Sequence, residues 1–89
     1  MLISVITPTY NRAYILSKCY ESLVNQTSKN FEWVVVDDGS SDNTEELVKS
    51  FIEENEIRIK YIKQKNGGKH IAHNTAVLNS EGELVVCLD

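Results

Sequence analysis

Four short segments of this sequence carry residues that together could hold a phosphorylated nucleoside. They are Pro8-Thr9-Tyr10-Asn11-Arg12, Asp37-Asp38-Gly39-Ser40, Asn66-Gly67-Gly68-Lys69 and Asp89. Between them they offer a flat aromatic ring, hydroxyls, the cations Arg12 and Lys69, a glycine pair and three carboxylates. A tyrosine ring gives a base a large contact area at little entropic cost. Backbone amides freed by glycine at a helix start attract an anion, and carboxylates suit a divalent metal. A base, a ribose and a diphosphate with a metal would use all of these groups.

Other reactive side chains read as structure. His70 and His73 fall on adjacent turns of one helix without a carboxylate nearby, which makes them surface or core-edge histidines rather than a metal pair. Cys19 and Cys87 lie far apart inside apolar segments, with no second ligand at metal spacing, and are expected to be reduced core residues. Asp37 suits local hydrogen bonds to backbone amides, and Gly39, Ser40 and Ser41 suit a tight turn.

The four segments meet only if strands and helices alternate in a parallel sheet, whose ligands gather at the carboxyl ends of its strands. The chain has that alternation, with continuous apolar runs of strand length separated by helix-period segments. Residues 2–7 form a strand ending at Pro8, and about 12–25 a helix with Asn11 as its cap. Residues 31–36 form the second strand. A helix over about 43–54 places Leu47, Val48, Phe51 and Ile52 on one face, and Asp42 with Glu45 resembles a capping box. Residues 57–62 alternate as an edge strand does. A loop over 64–68 leads to a helix over 69–79, and the Glu81-Gly82 turn leads to a buried strand over 84–88. The order βαβαβαβ predicts an α/β, Rossmann-like doubly wound parallel sheet with strand order 3-2-1-4 and a switch point between the first and fourth strands.

Bulk properties narrow the class. The 89 residues allow one domain, and 42% hydrophobic with 25% charged residues is ordinary for a folded soluble chain. A net charge of -4 has the wrong sign for a nucleic-acid surface, so no nucleic-acid partner is expected. The longest apolar run, Leu84 to Leu88, falls far below the ~20 residues a membrane helix needs. Met1 leads straight into Leu2-Ile3-Ser4-Val5-Ile6 without a signal-peptide pattern, and the expected compartment is the cytoplasm.

The stretches SVITPTYNR, FEWVVVDDGSSDNT and NGGKHIAHNTAVLNSEGELVVCLD resemble, in order and spacing, the front half of family two glycosyltransferases of GT-A fold. The resemblance covers essentially the whole chain and implies that 1–89 is the nucleotide-sugar-binding half of such a domain. On that likeness Pro8, Thr9 and Tyr10 line a nucleobase pocket, and Asp38 accepts the N3–H of uracil. Arg12 and Lys69 face the ribose or diphosphate, and Asp89 begins an Asp-x-Asp metal motif. Where the family often has Arg before the Asn of IAHNTA, this chain has His73.

The implied reaction passes a sugar from a nucleotide-diphosphate donor, UDP above others, to a hydroxyl of a saccharide, lipid or protein acceptor, with inversion and with Mg²⁺ or Mn²⁺ as cofactor. The family pattern places the general base and the second Asp beyond residue 89, so the 89 residues are expected to bind donor at most. It also allows contact with the inner face of a membrane through other segments. The competing readings are a folded scaffold fragment and a receiver-like signalling domain, whose paired acids would follow the first strand where this chain has Pro-Thr-Tyr. An NAD-binding domain would need a glycine fingerprint there. An apolar fourth strand with an open edge predicts a homodimer formed by antiparallel strand addition.

Overall fold

A computed structural model describes residues 1–88 of the chain. The elements are β1 (Ile3–Thr9), α1 (Ala13–Val24), β2 (Phe31–Asp37), α2 (Thr44–Glu54), β3 (Arg58–Lys63), α3 (Lys69–Leu78) and β4 (Leu84–Cys87). All strands are parallel, in the order β3-β2-β1-β4, as the sequence pattern predicts.

Side-chain alternation divides the core. Every residue of β2 is buried. Its Trp33 and Val35, with Val5 of β1, pack against Leu16, Cys19, Tyr20 and Leu23 of α1 and Val48 and Phe51 of α2. On the opposite face Ile6, Val34 and Val36 meet Ala72 and Ala76 of α3, whose small side chains let that helix lie close to the sheet. The larger core is organised by rings. Tyr20 and Phe51 stack with centroids 4.0 Å apart, and Trp33 lies 6.3 Å from each.

Four local expectations are corrected. The first strand does not stop at Pro8 but runs on to Thr9, whose carbonyl accepts the Asp38 amide at 2.9 Å. Proline is tolerated because β1 pairs with β4 only through Ile6, so its missing N–H faces the side where that ladder ends. After the Leu88 amide reaches the Ile6 carbonyl, the next donor in a regular parallel ladder would be the Pro8 nitrogen, reaching the Leu88 carbonyl. The Thr7 hydroxyl donates there instead, at 2.7 Å, while accepting from Trp33 Nε1 at 2.8 Å.

Asn11 does not cap α1. It adopts the left-handed conformation at φ 51°, which asparagine tolerates, and Arg12 takes the cap position without a side-chain bond. Nor do Asp42 and Glu45 form a capping box. Asn43 is the cap of α2, Asp42 accepts from the amide and hydroxyl of Thr44, and Glu45 pairs with Lys49 and Lys63.

The strand read as buried is exposed instead, with Leu84, Val85 and Val86 at 49%, 40% and 44%. Cys87 is exposed as well, while Cys19 is buried and neither forms a disulfide. An apolar run signals burial only where a layer covers it, and α3 lies over β1 and β2 rather than over β4. No helix among the described residues is long and apolar enough to cross a membrane.

The entry to β4 is held by a buried carboxylate. Glu32, 1% exposed, accepts from the Ser4 hydroxyl and the Glu81 amide, both at 2.6 Å, and the Ser4 oxygen accepts from the Gly82 amide at 2.8 Å. Any side chain at residue 82 would place its Cβ 2.6 Å from the Ser4 nitrogen, which explains glycine there. Burial alone would raise the Glu32 carboxyl. The bonds from Ser4 and Glu81, with Lys60 and Arg58 nearby, outweigh it and hold the group below its ordinary value.

Asp38 and Asp42 are lowered too. A carboxylate whose folded pKa is depressed contributes stability that is complete above its unfolded pKa and is lost as pH falls through the folded one. Unfolding midpoints are therefore expected to be level from neutral pH down to about 5 and to drop below about pH 4. Urea titrations across that range check it, and a midpoint that rises on acidification would contradict the hydrogen-bonding assigned to these three groups.

Candidate functional site

The loops that follow β1, β2 and β3 leave the same edge of the sheet, and hydrogen bonds between side chains and backbone tie them together. Asn11 Oδ1 accepts the amides of Ser41 at 2.8 Å and Asp42 at 3.2 Å, while the Asn11 amide donates to Ser40 Oγ at 2.8 Å. Asp42 Oδ2 accepts from the Ala13 amide at 3.2 Å, joining the starts of α1 and α2. Asp37 is structural, as its local chemistry suggests. Its Oδ1 accepts the Ser40 amide at 2.8 Å and its Oδ2 the Tyr61 hydroxyl at 2.6 Å. Gly39 has φ 78° and comes so close to the next loop that a Cβ would lie 2.9 Å from the Asn66 nitrogen.

Asp38 binds the third loop. Its Oδ1 accepts from Gln64 Nε2 and from the Gly67 amide, and its Oδ2 from the Gly68 amide, each at 2.9 Å. The Gln64 bond is foremost in holding this carboxyl below its ordinary value, and the two glycine amides add to it against the cost of burial. The glycine pair before Lys69 was expected to offer its amides to a phosphate. The anion they hold is the Asp38 carboxylate.

These loops enclose an open cavity of about 250 Å³ between α1 and α3. Six of the residues singled out by sequence, Pro8, Thr9, Tyr10, Arg12, Asp38 and Lys69, line it together. Asp89, the seventh, lies outside the described residues. Tyr10 is half exposed at the rim, whereas Asp38 is 3% exposed in the wall. Ile15 and Leu16 of α1 and Ala72 of α3 add apolar wall that no motif in the sequence marks. Their position in the first turns after β1 and β3, at the switch point, is the signal that could have placed them. His70 and His73 are exposed. No group of three His, Cys, Asp or Glu side chains among the described residues could hold a metal ion.

The arrangement is an apolar slot with one buried carboxylate in its wall and two cationic side chains along its lining. Comparison with known proteins says which family built it. The profile described as Glycosyl transferase family 2 matches residues 4–89. The chain belongs to that family. Among curated relatives, Glycosyltransferase GlyA of Streptococcus pneumoniae serotype 4 is 46% identical over 87 residues, covering 98% of this chain and 12% of that protein. The chain thus spans about an eighth of that curated relative's length.

Solved family neighbours share the GT-A fold. S. aureus TarS 1-349 in complex with UDP matches with a TM-score of 0.90 at 35% identity, over 100% of this chain and 27% of that one. Mannosyltransferase PcManGT from Pyrobaculum calidifontis, in complex with GDP-Man and Mn²⁺, matches with a TM-score of 0.86 at 31% identity, over 93% of this chain and 25% of that one.

Proposed function

We propose that residues 1–89 form the donor-nucleotide half of a GT-A domain that moves a sugar from UDP to an acceptor hydroxyl of a saccharide, lipid or protein, with inversion. The observation that carries this reading is the convergence of Pro8, Thr9, Tyr10, Arg12, Asp38 and Lys69 on one cavity at the switch point of the sheet. The base would lie against Tyr10 and the Pro8-Thr9 wall. Asp38 would accept its ring N–H, and Arg12 and Lys69 would face the ribose and diphosphate. One neighbour holds UDP and another GDP-Man, so the fold alone does not choose the base.

A divalent metal, Mg²⁺ or Mn²⁺, would offset charge growing on the diphosphate leaving group. The described residues do not by themselves make a site for it. We assign its ligation to Asp89 as the start of an Asp-x-Asp motif. Asp38 is the one carboxylate lining the cavity among the described residues, and its lone pairs are mostly engaged, so it is no general base. We therefore propose that a polypeptide of these residues binds donor without turning it over.

Calorimetric titration of the purified chain tests both parts. UDP is expected to bind, and Arg12→Ala and Lys69→Ala are each expected to weaken UDP by about three- to tenfold while leaving uridine nearly unaffected, since partly screened cations contribute on the order of 1 kcal/mol. Equal losses for UDP and uridine would remove both cations from the diphosphate side. Release of free sugar or UDP from UDP-sugars above background would overturn the proposed inactivity.

Self-association is proposed for the same polypeptide on the exposure of the apolar β4 edge. Sedimentation velocity at micromolar concentration is expected to show a dimer or larger species, and a clean monomer would remove this part.

A further inference from the structure

Hydrophobic patterning does not decide where β4 sits along β1. Register is strongly specified where one face of a strand is buried and weakly where the two faces are alike. Leu84, Val85, Val86 and Cys87 are all exposed, and their apolar side chains alternate onto two faces that no polar residue tells apart. At the end of the run Leu88 packs against the larger core. A slip of one or two residues, about 3.3 Å for each, would still leave a largely apolar strand beside β1.

Polar and steric contacts at the two ends do decide it. At the entry, Gly82 passes so near β1 that a Cβ there would lie 2.6 Å from both the nitrogen and Oγ of Ser4. Its neighbours Ser80, Glu81, Glu83 and Leu84 all carry side chains, so a slip of one or two residues in either direction brings a residue that does not fit to this point. Two amides are also claimed there. Ser4 Oγ accepts from the Gly82 amide at 2.8 Å, and Glu32 Oε2 accepts from the Glu81 amide and from the Ser4 hydroxyl, both at 2.6 Å. Lys60 Nζ lies 3.8 Å from the other Glu32 oxygen and donates to the Asn79 carbonyl at 2.7 Å, which ties the end of α3 to the same cluster. At the exit, Trp33 Nε1 can only donate. The Thr7 hydroxyl therefore accepts from it at 2.8 Å and gives its own proton to the Leu88 carbonyl at 2.7 Å.

We propose that Ser4, Glu32, Gly82 and Thr7 set the register of β4 and are thereby positioning residues for the donor site. Thr7 lines the cavity, so the rung it makes decides which residue leaves β4 beside that cavity. A slip of two residues would set Val86 in the place of Leu88, about 6.6 Å along the sheet. The inference rests on the donor-binding reading above, in which the residue after that rung is Asp89, and goes beyond it by naming what places the strand.

Interstrand nuclear Overhauser effects in the isotopically labelled chain read the register directly. In the wild type one set of resonances is expected for residues 84–88, with contacts between Ile3 and Leu84, Val5 and Val86, and Ile6 and Cys87. Gly82→Ala combined with Thr7→Val removes the steric choice at one end and the hydroxyl at the other. This double variant is expected to show a second set of resonances for 84–88, with contacts moved by one or two residues. Gly82→Ala combined with Thr7→Ser, which keeps the exit hydroxyl, should lower that second population about tenfold, the scale of one hydrogen bond with a buried partner. Should the double variants fail to fold, Gly82→Ala and Thr7→Val are read singly by saturation-transfer experiments, which detect sparsely populated states. Native contacts unchanged in every variant would overturn the proposal. So would β4 resonances that turn unstructured without gaining new partners, since the contacts would then hold the strand to the sheet without choosing its register. UDP titration of the wild type is independent of these outcomes. Absence of binding there sinks the donor-binding reading and leaves the register assignment to stand or fall on the resonances.

Discussion

Replacing Asp38 by Asn is expected to abolish the preference for UDP over CDP and to destabilise the fold by about 2–3 kcal/mol. Both effects follow from exchanging one oxygen for an NH₂ group. If the remaining oxygen keeps Gln64 and the Gly67 amide, the new NH₂ faces the Gly68 amide, donor against donor, where Oδ2 accepted at 2.9 Å. That amide loses its partner in a buried place, which costs on the order of 1–3 kcal/mol in addition to the lost charge-assisted bond. The position open to ligand becomes a donor, suited to cytosine N3 rather than to uracil N3–H. Urea unfolding and paired titrations with UDP and CDP separate the two consequences. A variant of unchanged stability would contradict the loop contacts, and one that still favours UDP would take Asp38 out of base recognition.

The second large effect concerns Trp33. This side chain is fully buried, lies between the β1–β2 sheet and the ring stack of Tyr20 and Phe51, and donates to Thr7. Truncation of a buried tryptophan to alanine typically costs 3–5 kcal/mol, and a domain has only ~5–15 kcal/mol in total. Trp33→Ala is therefore expected to leave much of the chain unfolded at 25 °C, as judged by loss of helical far-ultraviolet circular dichroism. Trp33→Phe keeps a ring in the stack but removes the Nε1 donor, while Thr7 can still reach the Leu88 carbonyl. It is expected to cost about 1–3 kcal/mol, combining lost volume with one hydrogen bond. A loss below 1 kcal/mol for Trp33→Ala would show that the ring stack holds without its indole.

The strand order and the convergence of Pro8, Thr9, Tyr10, Arg12, Asp38 and Lys69 were legible because they follow from periodicity and topology. Apolar runs such as Trp33-Val34-Val35-Val36 identify strands with a layer on each face. Parallel connectivity then brings the residues after each strand to one edge.

What stayed illegible depends on which partner a group meets in space. Pro8 looks like a terminator until the Thr7 hydroxyl is seen to give the Leu88 carbonyl the donor that proline lacks. Asn11 and Asp42 have the composition of caps, yet the Asn11 oxygen is taken by the Ser41 amide 30 residues away and one Asp42 oxygen by the Ala13 amide 29 residues away, contacts that no local pattern encodes. Only the other Asp42 oxygen keeps a local partner, in Thr44. The bond from Thr75 to Gln64 was illegible for the same reason, joining a helix threonine to an unremarkable loop residue eleven positions away. The exposure of β4 was misjudged because hydrophobicity reports a tendency to be covered, not the presence of the cover.

The bonds among the three loops run mostly from a side-chain oxygen to a backbone amide, and they are complete without any ligand: no buried side-chain polar atom among the described residues lacks a partner. The wall around Asp38 is thus set before a nucleotide arrives, and its ordering entropy belongs to folding rather than to association. What remains to be ordered on binding is the rim, where Tyr10, Arg12, Asn66 and Lys69 are exposed. The fixed wall can then discriminate between bases without itself having to be ordered, and the ordering cost of association is confined to the rim.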